Sequence, residues 1–112
     1  MSEIQFSYNA TDYLGLMAEM FAAGHQAVKD FQNRNKTDNG TCGFAYVVIS
    51  DERAARDLNG QACFQHISGV GICHPVTCGG WQSLLGAEYV AGAMVEILKF
   101  NGVAAHVHSK VD

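Results

Sequence analysis

Two stretches of this sequence hold residue types whose spacing could do chemistry. The first is Cys78-Gly79-Gly80-Trp81-Gln82-Ser83, which runs into an alanine-rich helical segment. Free amides at a helix start, on a turn loosened by glycine, can hold an anion, and an indole beside them can stack on a planar ring. The second stretch is His106-Val-His108-Ser-Lys110. Alternate residues of a strand leave the same face, so these three side chains would stand together and offer positive charge to the same anion. The expected ligand-binding set is therefore Gly79, Gly80, Trp81, Gln82, Ser83, His106, His108 and Lys110. The plainer reading of both stretches is a strand-to-helix turn with Trp81 anchored in the core, and histidines exposed at a strand end.

A metal reading starts from the same histidines. His106 and His108 could chelate one ion, with Cys73, His74 and Cys78 supplying further ligands if their strands were neighbours. Zinc sites usually declare themselves by tighter ligand pairs, so no metal site and no cofactor is expected, and the cysteines read as small packed hydrophobes. Nucleophilic catalysis needs a Cys or Ser held by a His and a third orienting group. Cys73 and His74 are adjacent on a strand and face opposite ways, and pairing of Cys78 with His66 or His106 has no support in the pattern. The acidic residues show no paired-carboxylate spacing. His25 lies at the edge of an apolar helical stripe and reads as a boundary residue. Met17, Met20 and Met94 read as core or interface filler.

The elements that must position these residues follow from periodicity. Tyr13, Met17, Met20, Gly24, Val28 and Phe31, with Phe21 beside them, form one stripe and predict a long helix from Thr11 to about Asn33, capped by Thr11 or Asn9. A polar loop follows over 32–41. Residues 42–50 are apolar on both alternating faces, with Phe44, Tyr46 and Val48 opposite Ala45, Val47 and Ile49, and predict a central strand. Asp51 should cap a short helix from Glu52 to Leu58, and Asn59-Gly60 should stop it. A second strand is expected over 69–74, a second long helix over 82–101 ended by Asn101-Gly102, and a third strand over 104–111 with His106, His108 and Lys110 on its wet face.

These elements make one α+β domain across residues 1–112. It is a two-layer sandwich of a three-stranded sheet with two long helices on one face, in the order α-β-α(short)-β-α-β. The long helix between the last two strands has the length of a crossover, so those strands should run parallel. The second apolar face of the central strand is then uncovered, which predicts a homo-oligomer.

Composition supports this. Hydrophobic residues are 48% of the 112 and charged residues only 16%, against roughly 25% in an average domain. The net charge is −4, with seven Lys and Arg scattered along the chain, so nucleic acid and anionic membrane are not expected as partners. No apolar run approaches the roughly 18 residues of a membrane span, and no secretory signal is visible, so the chain reads as cytoplasmic with its four cysteines as thiols.

Several runs resemble small uncharacterised proteins encoded by tailed bacteriophages and related prophage regions. They are Cys-Gly-Phe-Ala-Tyr at 42–46, Ala55-Arg56-Asp57-Leu58, Gln82-Ser83 opening an alanine-rich helix, Asn101-Gly102-Val103, and Ser-Lys-Val-Asp at 109–112. The resemblance spans 42–112. Here Gly79-Gly80 stand where the pattern has Tyr or Asn, and Leu84-Leu85-Gly86 where it has basic residues. A phage setting implies a protein that antagonises a host defence inside the host cell. The combined expectation is a non-catalytic binding module that sequesters a small anionic ligand or occludes a host protein. The alternative is a Cys/His metal-dependent enzyme or zinc-stabilised domain.

Overall fold

The computed structural model describes residues 10–61 and 63–111. The elements in chain order are α1 (Ala10–Asn35), β1 (Gly43–Ile49), α2 (Glu52–Leu58), β2 (Gln65–Ile67), β3 (Gly71–Val76), α3 (Leu84–Phe100) and β4 (Ala105–Val111). The sheet has four strands in the order β2-β3-β1-β4, and every neighbouring pair is antiparallel.

The expected three-stranded sheet is corrected by β2. Only Gln65, His66 and Ile67 form it, and it pairs with β3 across a turn closed by Val70 N donating to Ile67 O at 3.0 Å. Gly69 and Gly71 hold φ of +84° and +114° there, a backbone region glycine enters freely. The second strand also runs later than 69–74, because it continues through Pro75. Pairing with β2 ends at Cys73, so the ring faces no ladder partner on that side. β3 and β4 do run in the same direction, since each is antiparallel to β1, but β1 lies between them. From β1 onward the connectivity is βαββαβ with the strand order of a split βαβ, ferredoxin-like arrangement, and α1 is added before it.

One face of the sheet carries the helices. α3 lies over β1 and β4, and α1 packs along α3. Met20, Ala45, Val47, Leu58, Ala87, Ala91 and Leu98 meet in the core between these layers. Gly24 permits the helix crossing, because a Cβ there would stand 3.1 Å from Met94 Sδ. Asp51 caps α2 as its sequence predicts, accepting from Ala54 N at 3.1 Å. The expected caps of α1, Asn9 and the Thr11 side chain, lie outside what is described.

The other face is partly covered within the chain. Tyr46, Val48 and Cys73 are buried in a second, smaller cluster with Phe44, Ile67 and Val70. Its centre is therefore shielded within one chain, and a second subunit is not required to cover it. Among the described residues, no helix is long and apolar enough to cross a membrane.

Candidate functional site

Directly paired residues of antiparallel strands share a face, so the register assigns every strand position. Phe44 pairs with Lys110, Tyr46 with His108 and Pro75, and Val48 with His106 and Cys73. Gln65 and Ile67 join the same face through Cys73 and Gly71. His108 stacks on Tyr46 at 5.9 Å between centroids with 30° between planes, and Phe44 meets Tyr46 edge-on at 5.3 Å. His106, His108 and Lys110 thus stand on one exposed face, as their spacing predicts.

The turn before α3 has a different purpose from the one its sequence suggests. Gly79 and Gly80 hold φ of +56° and +91°, and Trp81 N donates back to Cys78 O at 3.1 Å. Two consecutive positive values belong to the tight primed turns that reverse a chain within two residues. Much of the helix start behind this turn is engaged by the chain itself. Ser83 caps α3 by accepting from Gly86 N at 3.1 Å, Leu84 N donates to Thr41 O at 2.9 Å, and Gln82 N donates to the Asp38 carboxylate at 2.8 Å. The Asp38 carboxylate thus stands at the amide that precedes the cap. Ser83 is buried, and Gly79 faces α1, where a Cβ would stand 2.6 Å from Val28 Cγ1.

Three of the predicted residues do line a groove. Gly80, Trp81 and Gln82 face Gly43, Phe44 and Thr77 across a space of about 180 Å³. Trp81 is half-buried and leans on Phe31 of α1 at 6.4 Å between centroids, so it serves as both anchor and groove wall. Phe44 is a further groove-lining residue. In the sequence its alternation with Tyr46 reads as strand packing alone. Lys110, the register partner of Phe44, is exposed beside this end of the face.

The proposed metal ligands do not come together. β1 separates His106 and His108 from Cys73, while Cys78 belongs to the helix-side core. Among the described residues no group of three or more His, Cys, Asp or Glu is placed to hold an ion. The cysteines are free thiols, with Cys42 exposed and Cys73 and Cys78 buried. Burial pushes the Cys63 thiol up to about 11, and pushes Cys73 and Cys78 upward too, with the Asp38 charge adding to the rise at Cys78. None of these three is poised as a nucleophile.

The structure does reveal a Ser–His contact, Ser50 Oγ to His106 Nδ1 at 2.6 Å. No carboxylate orients the far side of this imidazole among the described residues, and the Ser50 amide is committed to Ala104 O at 2.9 Å. The pair lacks the orienting group that an activated serine needs. No family model, curated protein or solved structure matches this chain.

Proposed function

We propose that this protein is a non-catalytic binding module that holds a planar, anionic small molecule of the nucleotide type. The ring enters the groove between Phe44 and Trp81, and Lys110 and His108 meet the negative charge. One observation carries this reading. The chain has 11 acidic and 7 basic residues, yet the strand positions of this face hold Lys110, His106 and His108 and neither Asp nor Glu. The strand side of the groove therefore offers an anion positive charge beside two aromatic walls, while Asp38 stands on the turn side, bound to Gln82 N. The resemblance to phage-encoded proteins supports capture of a host signalling nucleotide over storage of a metabolite.

The test is a thermal-shift screen of nucleotides and cyclic dinucleotides, with affinities of any hit measured for Phe44→Ala, Trp81→Ala and Lys110→Ala. By analogy with base stacking, loss of either aromatic wall should weaken binding roughly ten- to a hundredfold. A ligand whose affinity survives all three changes places its site elsewhere. Binding of a protein and of no nucleotide favours occlusion of a partner.

Homo-oligomerisation is a second reading, and it now rests on an edge. β4 is seven residues long and pairs with β1 on one side only among the described residues, and Val111 is exposed at its end. Such an edge is a template for pairing with another copy. Light scattering should give a mass above 12.1 kDa, and a monomer at every concentration removes this reading.

A further inference from the structure

We infer that the cleft between α1, α3 and β3 is a second binding site, separate from the groove, for a neutral one-ring molecule of the phenol class that donates one hydrogen bond. The cavity measures about 290 Å³, at the small end of the roughly 300–1,000 Å³ typical of ligand pockets. That suits one ring and little more. Its walls are Phe21, Gly24 and Val28 from α1, Val90 and Met94 from α3, and His74 from β3. No Lys, Arg, Asp or Glu lies among its described lining residues, and its polar side chains are His25, His74 and Thr77, which favours a neutral guest over a charged one.

The polar anchor is His74. Its Nδ1 lies 3.2 Å from the backbone carbonyl of Cys63. A carbonyl can only accept, so Nδ1 carries the proton and Nε2 is left with a lone pair. Among the described residues Nε2 has no partner. Phe21 and Phe64 hold the ring edge-on at 5.4 and 6.1 Å between centroids, which fixes its orientation. Burial lowers the basicity of His74 and outweighs the bond to Cys63, so the imidazole is neutral at pH 7. A neutral, oriented acceptor in an apolar cleft selects a guest that brings a donor, because a guest without one leaves Nε2 desolvated and unpaired.

The cleft exists because side chains are missing. Gly24 lines it at the helix crossing, and Gly79 lines it at the turn, where a Cβ would meet Val28 Cγ1 at 2.6 Å and Gln32 Nε2 at 3.2 Å. Gln32 Nε2 instead donates to Cys78 O at 3.0 Å and ties α1 to the turn beneath it. Both walls are thus held at a fixed separation.

The experiment titrates phenol and toluene, two probes of nearly equal size, into the isotopically labelled protein and follows amide and methyl shifts by NMR. In the unmodified protein phenol should bind about tenfold more tightly than toluene, with shifts centred on Phe21, His74 and Met94. His74→Phe keeps a ring against Phe21 and Phe64 but removes the acceptor, so it should bring the ratio to about one. Val28→Phe should fill the cleft from its rim and abolish both responses. Equal binding of the two probes by the unmodified protein overturns the role of His74 without any variant being made. Shifts centred elsewhere, or phenol binding that survives Val28→Phe, overturn the site itself.

Discussion

The groove and the cleft share Thr77 beside one turn, and consecutive glycines serve them. Gly80 lines the groove and Gly79 lines the cleft. The groove is bounded by a strand and a turn, opens beside the exposed Lys110, and is shaped by side chains that are present. The cleft lies between layers, has no charged wall, and is shaped by side chains that are absent. The contrast teaches that a glycine pair is ambiguous until its surroundings are known. One member can be required for close packing and the other only for backbone conformation.

The largest expected effect separates these two roles. Gly79→Ala must adopt a positive φ and also push its Cβ against Val28, so it should cost roughly 2–4 kcal/mol in a denaturation experiment. At Gly80 nothing lies within 4 Å of an added Cβ, so Gly80→Ala should cost only the conformational term, about 1–2 kcal/mol. Equal losses would show that the turn, and not the packing on α1, sets the demand at both positions. Phenol binding should weaken in the Gly79 variant and persist in the Gly80 variant.

A pH series with a His74 variant addresses the imidazole in the cleft. Because burial lowers the His74 pKa below its ordinary 6.5, the unfolded chain takes up its proton first as pH falls. The folded state binds fewer protons in that window, so stability should decline from about pH 6.5 down to the depressed folded value and show no pH dependence from this residue above about pH 6.5. His74→Phe should flatten that part of the denaturant-midpoint curve. An unchanged curve would mean that other groups carry the dependence.

The smallest effect is chemical and needs no variant. Cys42 is exposed at the groove end of β1, while Cys73 and Cys78 are fully shielded, one on each side of the sheet. A thiol reagent added to the native protein should consume Cys42 well before the other three. All four should react after unfolding without reductant. Fast native labelling of Cys73 would show that the second cluster opens readily, which would undercut the groove beside it.

The parts of the fold that were legible in the sequence were those with a local cause. The stripe of Tyr13, Met17 and Met20 gave α1, the doubly apolar run gave β1, and Asp51 and Asn101 marked helix ends that the structure keeps. Strand β2 was not legible, because Gln65-His66-Ile67 shows no apolar alternation and owes its conformation to the hairpin with β3. The face of His106, His108 and Lys110 followed from a spacing of two. The contacts at the start of α3 could not be foreseen, since Asp38 and Thr41 arrive from a loop distant in sequence. His74 reads in the sequence only as a possible metal ligand, for the same reason. Its partners Phe21, Cys63 and Phe64 are brought to it only by the fold.

The pairing of α1 with α3 also governs the order in which this molecule can assemble. α1 is the first described element and ends at Asn35, yet the helix it packs along begins only at Leu84. During synthesis the apolar stripe of α1 must therefore wait, exposed or loosely covered, until most of the chain has been made. Contacts that close so long a stretch of chain carry a large entropic cost before they return any stabilisation, and they slow folding. The βαββαβ body contains the local hairpin of β2 and β3 and can begin to organise without α1. Docking of α1 should then be a late event, and the cleft between α1, α3 and β3 among the last features of the native state to form.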